Sequence, residues 1–280
     1  MKKNKLKIVR LTLGIVITSL LTAFFLDISG IFPYQLHSLA HFQLIPAILF
    51  AISGKFVYLI ITFLIILLFG RLYCSVICPL GVFQDFINWI SQKINKKKRF
   101  KYKKPFNVLR YFFLIITTLS IIFGISSITG ILDPYSIYGR ILVHLFKPVI
   151  IFINNLLAIF SEWTENYYFI ELEISPISIL SFTIAVISFI IVIFFSFTRG
   201  RKFCNIVCPI GALRNLTSKI SLFNIRIDKE KCNSCGLCEM NCKSECINAK
   251  EKSIDTGNCV VCFNCINKCN KNSIGFKIKN

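Results

Sequence analysis

The sequence predicts a membrane α-helical protein, with four transmembrane helices in two repeated pairs and a small α+β domain at the C-terminal end. Three observations predict it: long uncharged apolar runs, a cysteine motif that recurs after two of them, and a crowding of cysteines at the end of the chain. Composition points the same way. Of 280 residues, 55% are hydrophobic, 28 are Phe and only 16% are charged, with a mean hydropathy of +0.67. Soluble domains average about 25% charged residues, so disorder and an ordinary soluble core are both poor fits. The net charge is +20, from 33 Lys and Arg against 13 Asp and Glu. A basic nucleic-acid binder would carry that charge on a soluble face, not between long apolar runs.

About 20 apolar residues at 1.5 Å rise cross the hydrocarbon layer. Residues 8–26 form the first predicted span, interrupted only by Arg10, and are read as an uncleaved anchor because no A-x-A site precedes Asp27. Residues 56–70 form the second, lengthened by part of 45–53, with Lys55 snorkelling at its end. The third is 111–132, free of charge, and the fourth is 177–197. Residues 141–160 are long enough to span but contain His144, Lys147, Pro148, Asn154 and Asn155. With four spans and an inside N-terminus, 29 basic residues lie inside and three outside, Arg110 sitting at the inner end of span three. That is the positive-inside pattern. A fifth span would move the 15 basic residues after Thr198 outside, so 141–160 is expected to be an outer-face interfacial or re-entrant helix. The expected location is the cytoplasmic membrane, multi-pass, with both termini cytoplasmic. The run Lys96-Lys97-Lys98-Arg99 fits anionic lipid better than nucleic acid.

Span two is followed by GRLYCSVICPLG and span four by GRKFCNIVCPIG, one pattern at an offset of 130 residues. The expected units are therefore 1–110, 111–223 and 224–280: two helix pairs and a terminal domain. Proline suits the first position of a helix and pushes its predecessor out of helical geometry. Cys78 and Cys208 are thus expected at the N-termini of amphipathic helices, where the dipole lowers a thiol pKa. Cys74 and Cys204 precede them by four residues. The four thiols can hold a metal or a further cluster, act as dithiols, or simply fill a tight turn while Arg71 and Arg201 snorkel to the inner surface.

Nine of the thirteen cysteines fall in the last 49 residues. Cys232-x2-Cys235-x2-Cys238-x3-Cys242 recurs 27 residues later as Cys259-x2-Cys262-x2-Cys265-x3-Cys269. This is the bacterial two-cluster ferredoxin arrangement, in which the fourth cysteine of each run ligates the other cluster. Cluster one is assigned to Cys232, Cys235, Cys238 and Cys269, and cluster two to Cys259, Cys262, Cys265 and Cys242, both 4Fe-4S. Zinc prefers two pairs around one ion, and disulfides do not suit a reducing compartment. Lys243 and Asn270 stand where a proline usually follows the fourth cysteine. Cys246 is left over as a packed thiol.

Multiple spans, the duplicated GR-x2-C-x3-C-P-x-G motif and the terminal two-cluster module together resemble the NapH-type membrane iron-sulfur proteins of periplasmic nitrate reductase systems. Related membrane segments occur in nitrous-oxide reductase maturation and cytochrome oxidase assembly proteins. The resemblance covers nearly the whole chain. It implies quinol-linked electron transfer, with menaquinol or ubiquinol and another redox protein or oxidoreductase subunit as partners, the eight cysteines of the two ferredoxin runs as cluster ligands, and Cys74, Cys78, Cys204 and Cys208 as the thiol motifs. Ser-Val-Ile and Asn-Ile-Val stand where many members carry a Trp, which leaves the subfamily open. No C-x-x-C-H indicates covalent haem. The expected quinol-site residues, at the outer face, are His37, His41, Asp133, Tyr135, Arg140 and His144, although residues at span ends are commonly interfacial anchors. Two other roles fit the same residues. One is a copper reductase or cofactor-assembly factor using the C-x3-C-P thiols, since soft thiolates select Cu(I); the other is a non-catalytic docking subunit.

Overall fold

The computed structural model describes residues 2–27, 40–96, 99–163, 171–173, 178–218 and 221–278. Four of its helices are long and apolar enough to cross a membrane: Lys5–Leu26, Val57–Val76, Pro134–Ser161 and Ile179–Arg199. In chain order the elements used below are α1 (Lys2–Leu26), α2 (Leu44–Ile52), α3 (Val57–Phe69), α4 (Tyr73–Val76), α5 (Pro79–Ile94), α6 (Asn107–Ile122), α7 (Ser126–Leu132), α8 (Pro134–Ile141), α9 (Lys147–Trp163), α10 (Ile179–Arg199), α11 (Lys202–Ile206) and α12 (Pro209–Ser218). Large apolar side chains such as Val9, Val16, Ile60, Ile187 and Phe194 stand exposed on the outer faces of α1, α3 and α10. So much exposed apolar surface is untenable in water and natural against lipid. The chain is a membrane protein.

Predicted spans one and four coincide with two of these helices. Span two borrows nothing from 45–53, because Leu44–Ile52 is a separate helix ended by the turn at Gly54 (φ +88°), and the span runs instead from Val57 to Val76. The third is corrected. Within 111–132 the helix stops at Ile122, and Gly124 turns the chain at φ +70°, a conformation that glycine enters at little steric cost. The amide of Ile125 then bonds back to the Ser120 carbonyl (2.8 Å), and the Ser120 and Thr129 hydroxyls meet at 3.0 Å, which folds α7 back against α6. The predicted outer segment 141–160 instead belongs to the continuous 28-residue helix Pro134–Ser161. Its interior Pro148 is tolerated because the preceding Leu142–Phe146 stretch is a π turn, which rearranges the backbone hydrogen bonds where proline has no N–H to give. Hydropathy averages over such backbone events, and a count of charges does not see them.

One buried core joins the membrane helices. It contains Leu44 and Ile45 of α2, Ile66 of α3, Leu80 of α5, Ile137 and Tyr138 of α8, Val192 of α10, and the thiols Cys74, Cys78 and Cys208. A small α+β unit follows. Strand β1 (Phe223–Ile227) pairs antiparallel with the C-terminal strand Ile274–Ile278, Ile225 opposite Phe276. Between them the cysteine runs fold around Ile225, Ile247, Val261, Phe263, Ile266 and Ile274.

Candidate functional site

Cys74, Cys78, Cys204 and Cys208 are all buried at 5% exposure or less. Cys78 caps α5 in extended geometry and Pro79 opens that helix, while Pro209 opens α12 directly after Cys208, as the Cys-Pro pair dictates. The expected electrostatic consequence is reversed. Burial pushes the Cys78 and Cys208 thiols up, neighbouring thiols add to the rise, and amide hydrogen bonds from Gly81 and Gly211 do not offset it. Desolvation outweighs a helix terminus that is itself buried. Burial likewise raises Cys204, whose Sγ donates to Gln84 Oε1 at 3.2 Å. Arg214 Nη1 donates to Cys74 Sγ at 3.8 Å, and its guanidinium stacks on Tyr73 at 3.8 Å.

The motif arginines do not snorkel. Arg71 and Arg201 are fully buried, and each reaches the other motif. Arg71 Nη2 donates to the Cys204 carbonyl (3.3 Å), and Arg201 Nη1 donates to the Cys74 carbonyl (2.7 Å). This exchange explains the final glycine of each motif. A Cβ on Gly81 would collide with the Cys74 carbonyl oxygen and press on Arg201, and one on Gly211 would collide with the Cys204 carbonyl oxygen and crowd Arg71.

The same cations hold the cysteine-rich unit. Arg71 Nη1 donates to Asn205 Oδ1 and to the Gly257 carbonyl, each at 2.7 Å. Arg110 donates to the Asn205 carbonyl (2.7 Å) and to Asn258 Oδ1, so two buried arginines grip the residues just ahead of Cys259. On the other side Asp85 pairs with Arg201 (2.7 Å), Lys243 (2.5 Å) and Arg10. Burial would raise the Asp85 carboxyl, but the three cations hold it well below the usual carboxylate range. Lys243, beside Cys242, is lowered to about 8 by burial despite Asp85. The Arg201 amide also bonds to the Lys243 carbonyl (2.9 Å). Sequence reasoning singled out neither Asp85, Gln84 nor Arg214. The signals were an acid six residues beyond a Cys-Pro pair, a lone Arg10 inside a span, and a lysine where proline is usual.

Both cysteine runs share one backbone path. Ser234, Gly236 and Glu245 have φ of 54°, 75° and 54°, and their counterparts 27 residues on, Val261, Phe263 and Asn272, have 49°, 61° and 54°. A β-branched Val in left-handed geometry costs of order 1–3 kcal/mol and persists only where the surroundings demand it. Such turns aim successive amides and thiols to one side, as a cluster-binding loop requires. Cys232, Cys235, Cys238 and Cys269 together line a cavity of about 160 Å³. Cys242, Cys262 and Cys265 are buried and Cys259 partly so. Cys246 is packed with its Sγ 3.4 Å from that of Cys242. Among the described residues, no three His, Cys, Asp or Glu side chains gather round a single ion; a four-iron cube spreads its thiolates wider than one ion does.

Of the six expected quinol-site residues, the structure brings Asp133 and Tyr135 into one cavity. Arg140 donates to the Gly130 carbonyl (3.2 Å) on its wall. His41 meets Phe50 in a tilted contact and Tyr58 edge-on (ring centroids 3.9 and 5.0 Å apart), and His144 sits in the π turn; neither lines that cavity. His37 lies outside the described residues.

A family model described as a 4Fe-4S binding domain matches twice, over 45–98 and 181–229, around each C-x3-C-P motif. An uncharacterized protein of Methanocaldococcus jannaschii is 27% identical, over 98% of this chain and 88% of that one. The putative electron transport protein YccM of Escherichia coli is 23% identical, over 81% of this chain and 57% of its own. The ferredoxin-type protein NapH of the same organism is 25% identical, over 76% and 63%. No solved structure matches.

Proposed function

We propose that the chain is a membrane-bound, ferredoxin-type 4Fe-4S electron-transfer protein of the NapH type, as its similarity to such proteins supports, and that it moves electrons between the quinone pool and a redox partner. Cys259, Cys262, Cys265 and Cys242 would hold the cluster nearer the C-x3-C-P thiols Cys74, Cys78, Cys204 and Cys208, and Cys232, Cys235, Cys238 and Cys269 would hold the one farther from them; both would supply one-electron chemistry. The single observation that supports this order is the clamp: the arginines of the thiol motifs grip Gly257 and Lys243, next to Cys259 and Cys242, two residues assigned to cluster two. Cys235, assigned to cluster one, is exposed, where a soluble partner or oxidoreductase subunit would dock.

Each cluster, when bound, accepts or gives one electron at a potential set by burial and hydrogen bonds. Two therefore match the two electrons of a quinol. The residues of the chain supply the frame. Val261 and Phe263 turn their loop with left-handed backbone, the thiol core excludes water, and Asp85 ties three buried cations together. The positive-inside distribution supports a cytoplasmic face for the clusters, in the cytoplasmic membrane.

The test is anaerobic purification with iron and sulfide analysis, EPR, and addition of reduced menaquinone. About eight irons per chain from the terminal runs and rapid appearance of reduced-cluster signals on quinol addition are expected. Clusters reducible by dithionite but indifferent to every quinol would remove the quinone from the proposal.

A further inference from the structure

The membrane part holds a cavity of about 260 Å³ that the thiol site does not use. Ile45, Pro46 and Leu49 of α2 form one wall, and Thr129, Asp133 and Tyr135 form the other. Drug-sized ligands occupy pockets of about 300–1,000 Å³, so the space suits one ring and not a long tail. Leu49 is 49% exposed on the apolar outer surface; the cavity opens there, toward lipid. Its inner wall is shared with the redox core, because Ile45 and the α8 residue Ile137 belong to the same buried cluster as Cys74, Cys78 and Cys208. The first turn of α2 is tied to the thiol segment as well. The Leu44 amide donates to the Tyr73 hydroxyl (3.0 Å), that hydroxyl donates to Gln43 Oε1 (2.9 Å), and Gln43 Nε2 donates to the Ile77 carbonyl (3.1 Å).

Asp133 is 1% exposed. Its Oδ2 accepts from the Ser136 amide (3.0 Å) and hydroxyl (2.9 Å), capping α8. Its Oδ1 is buried with no hydrogen-bond partner among the described residues. A cap needs no charge, since Asn or Ser serves equally, and an acid within a membrane protein is expensive and usually functional. The capping role therefore accounts for one oxygen and leaves the other to a ligand.

We propose that this cavity receives the ring of a quinol and that Asp133 takes a proton from one of its hydroxyls. The proposal rests on the quinone-linked function above. In the oxidising direction both O–H bonds of the quinol break, giving the quinone, two protons and two electrons. One proton passes to Asp133 Oδ1 and from there to water, the second is released to water, and the two electrons enter the two iron-sulfur clusters. The tail leaves past Leu49 into the bilayer.

The cluster-loaded full chain in lipid nanodiscs is photolabelled with an azido-menaquinone, and the labelled peptides are mapped. In parallel, cluster reduction by menadiol is followed by stopped flow for the wild type, Asp133→Asn and Leu49→Trp, with dithionite as a control on cluster integrity. Expected are label within 45–49 and 129–136, loss of label in Leu49→Trp, and at least a tenfold slower menadiol reduction in Asp133→Asn, which keeps the cap. Label confined to other segments, or wild-type rates in both variants, would overturn the cavity while leaving quinone-linked function standing. A wild type that no quinol reduces would overturn both.

Discussion

The two thiol motifs are built on one frame and carry different chemistry. At 130-residue spacing, Gly70 and Gly200, Arg71 and Arg201, and Gly81 and Gly211 occupy equivalent places, and each arginine reaches the opposite cysteine carbonyl. Six residues past the second cysteine the copies differ in charge. The first has Gln84-Asp85 and the second Arg214-Asn215. Cys204 thus donates to an amide oxygen, whereas Cys74 accepts from a guanidinium. Asp85 pairs with three cations, and Asn215 instead presses its side-chain oxygen close to Gly257. Repetition supplies a rigid backbone cradle; the divergence at Gln84-Asp85 and Arg214-Asn215 polarises it.

The largest expected effect breaks the charged side of this asymmetry. Asp85→Ala leaves Arg10, Arg201 and Lys243 buried without their anion, and removal of one partner from a buried ionic group costs about 3–5 kcal/mol. Loss of the folded protein in a detergent thermal melt should follow, with a much smaller change for Asn215→Ala; equal effects would mean that the ionic hub does not hold the two parts together.

Next comes the shared frame. Gly81→Ala and Gly211→Ala each force a methyl into a carbonyl oxygen, at about 1–3 kcal/mol for an overpacked site. The two should cost alike, measured as midpoint shifts, and a clear difference between them would deny the equivalence of the copies.

A comparison of the two clusters is milder for stability and sharper for assignment. Cys235→Ser, at the exposed run, should remove about four of eight irons and leave one cluster signal in EPR, while Cys262→Ser should remove the other. Retention of all the irons in either variant would contradict the ligand sets.

The smallest effect sharpens the polarity of the thiols. Arg214→Gln makes the surroundings of Cys74 like those of Cys204, and alkylation of Cys74 by iodoacetamide in cluster-free, reduced protein should slow several-fold, because the cation that meets its sulfur is gone. Cys208, pushed up by burial, should react only at pH above the ordinary thiol range near 8.5. No change at Cys74 would show that Arg214 serves packing alone.

Much of the fold was legible because hydropathy and motif spacing are local. Three of the four long helices follow from runs of Ile, Leu, Phe and Val, and the helix starts at Pro79 and Pro209 follow from the stereochemistry of Cys-Pro. Span three failed because one left-handed Gly124 reverses an unbroken apolar run, and because a π turn lets Pro148 remain inside a helix. The thiol pKa expectation failed for another reason: a helix dipole is a local property, whereas burial depends on everything packed around the helix end.

The sequence by itself determined the membrane class, the duplicated thiol motif and the paired cysteine runs, since each is written in residue type and spacing along the chain. Only the tertiary structure decided that each motif arginine serves the opposite motif, that Asp85 joins Arg10, Arg201 and Lys243, and that Asp133 and Tyr135 share a cavity with Ile45. These are contacts between residues scores of positions apart. Their energies come from desolvation and charge compensation, which exist only once distant segments exclude water together.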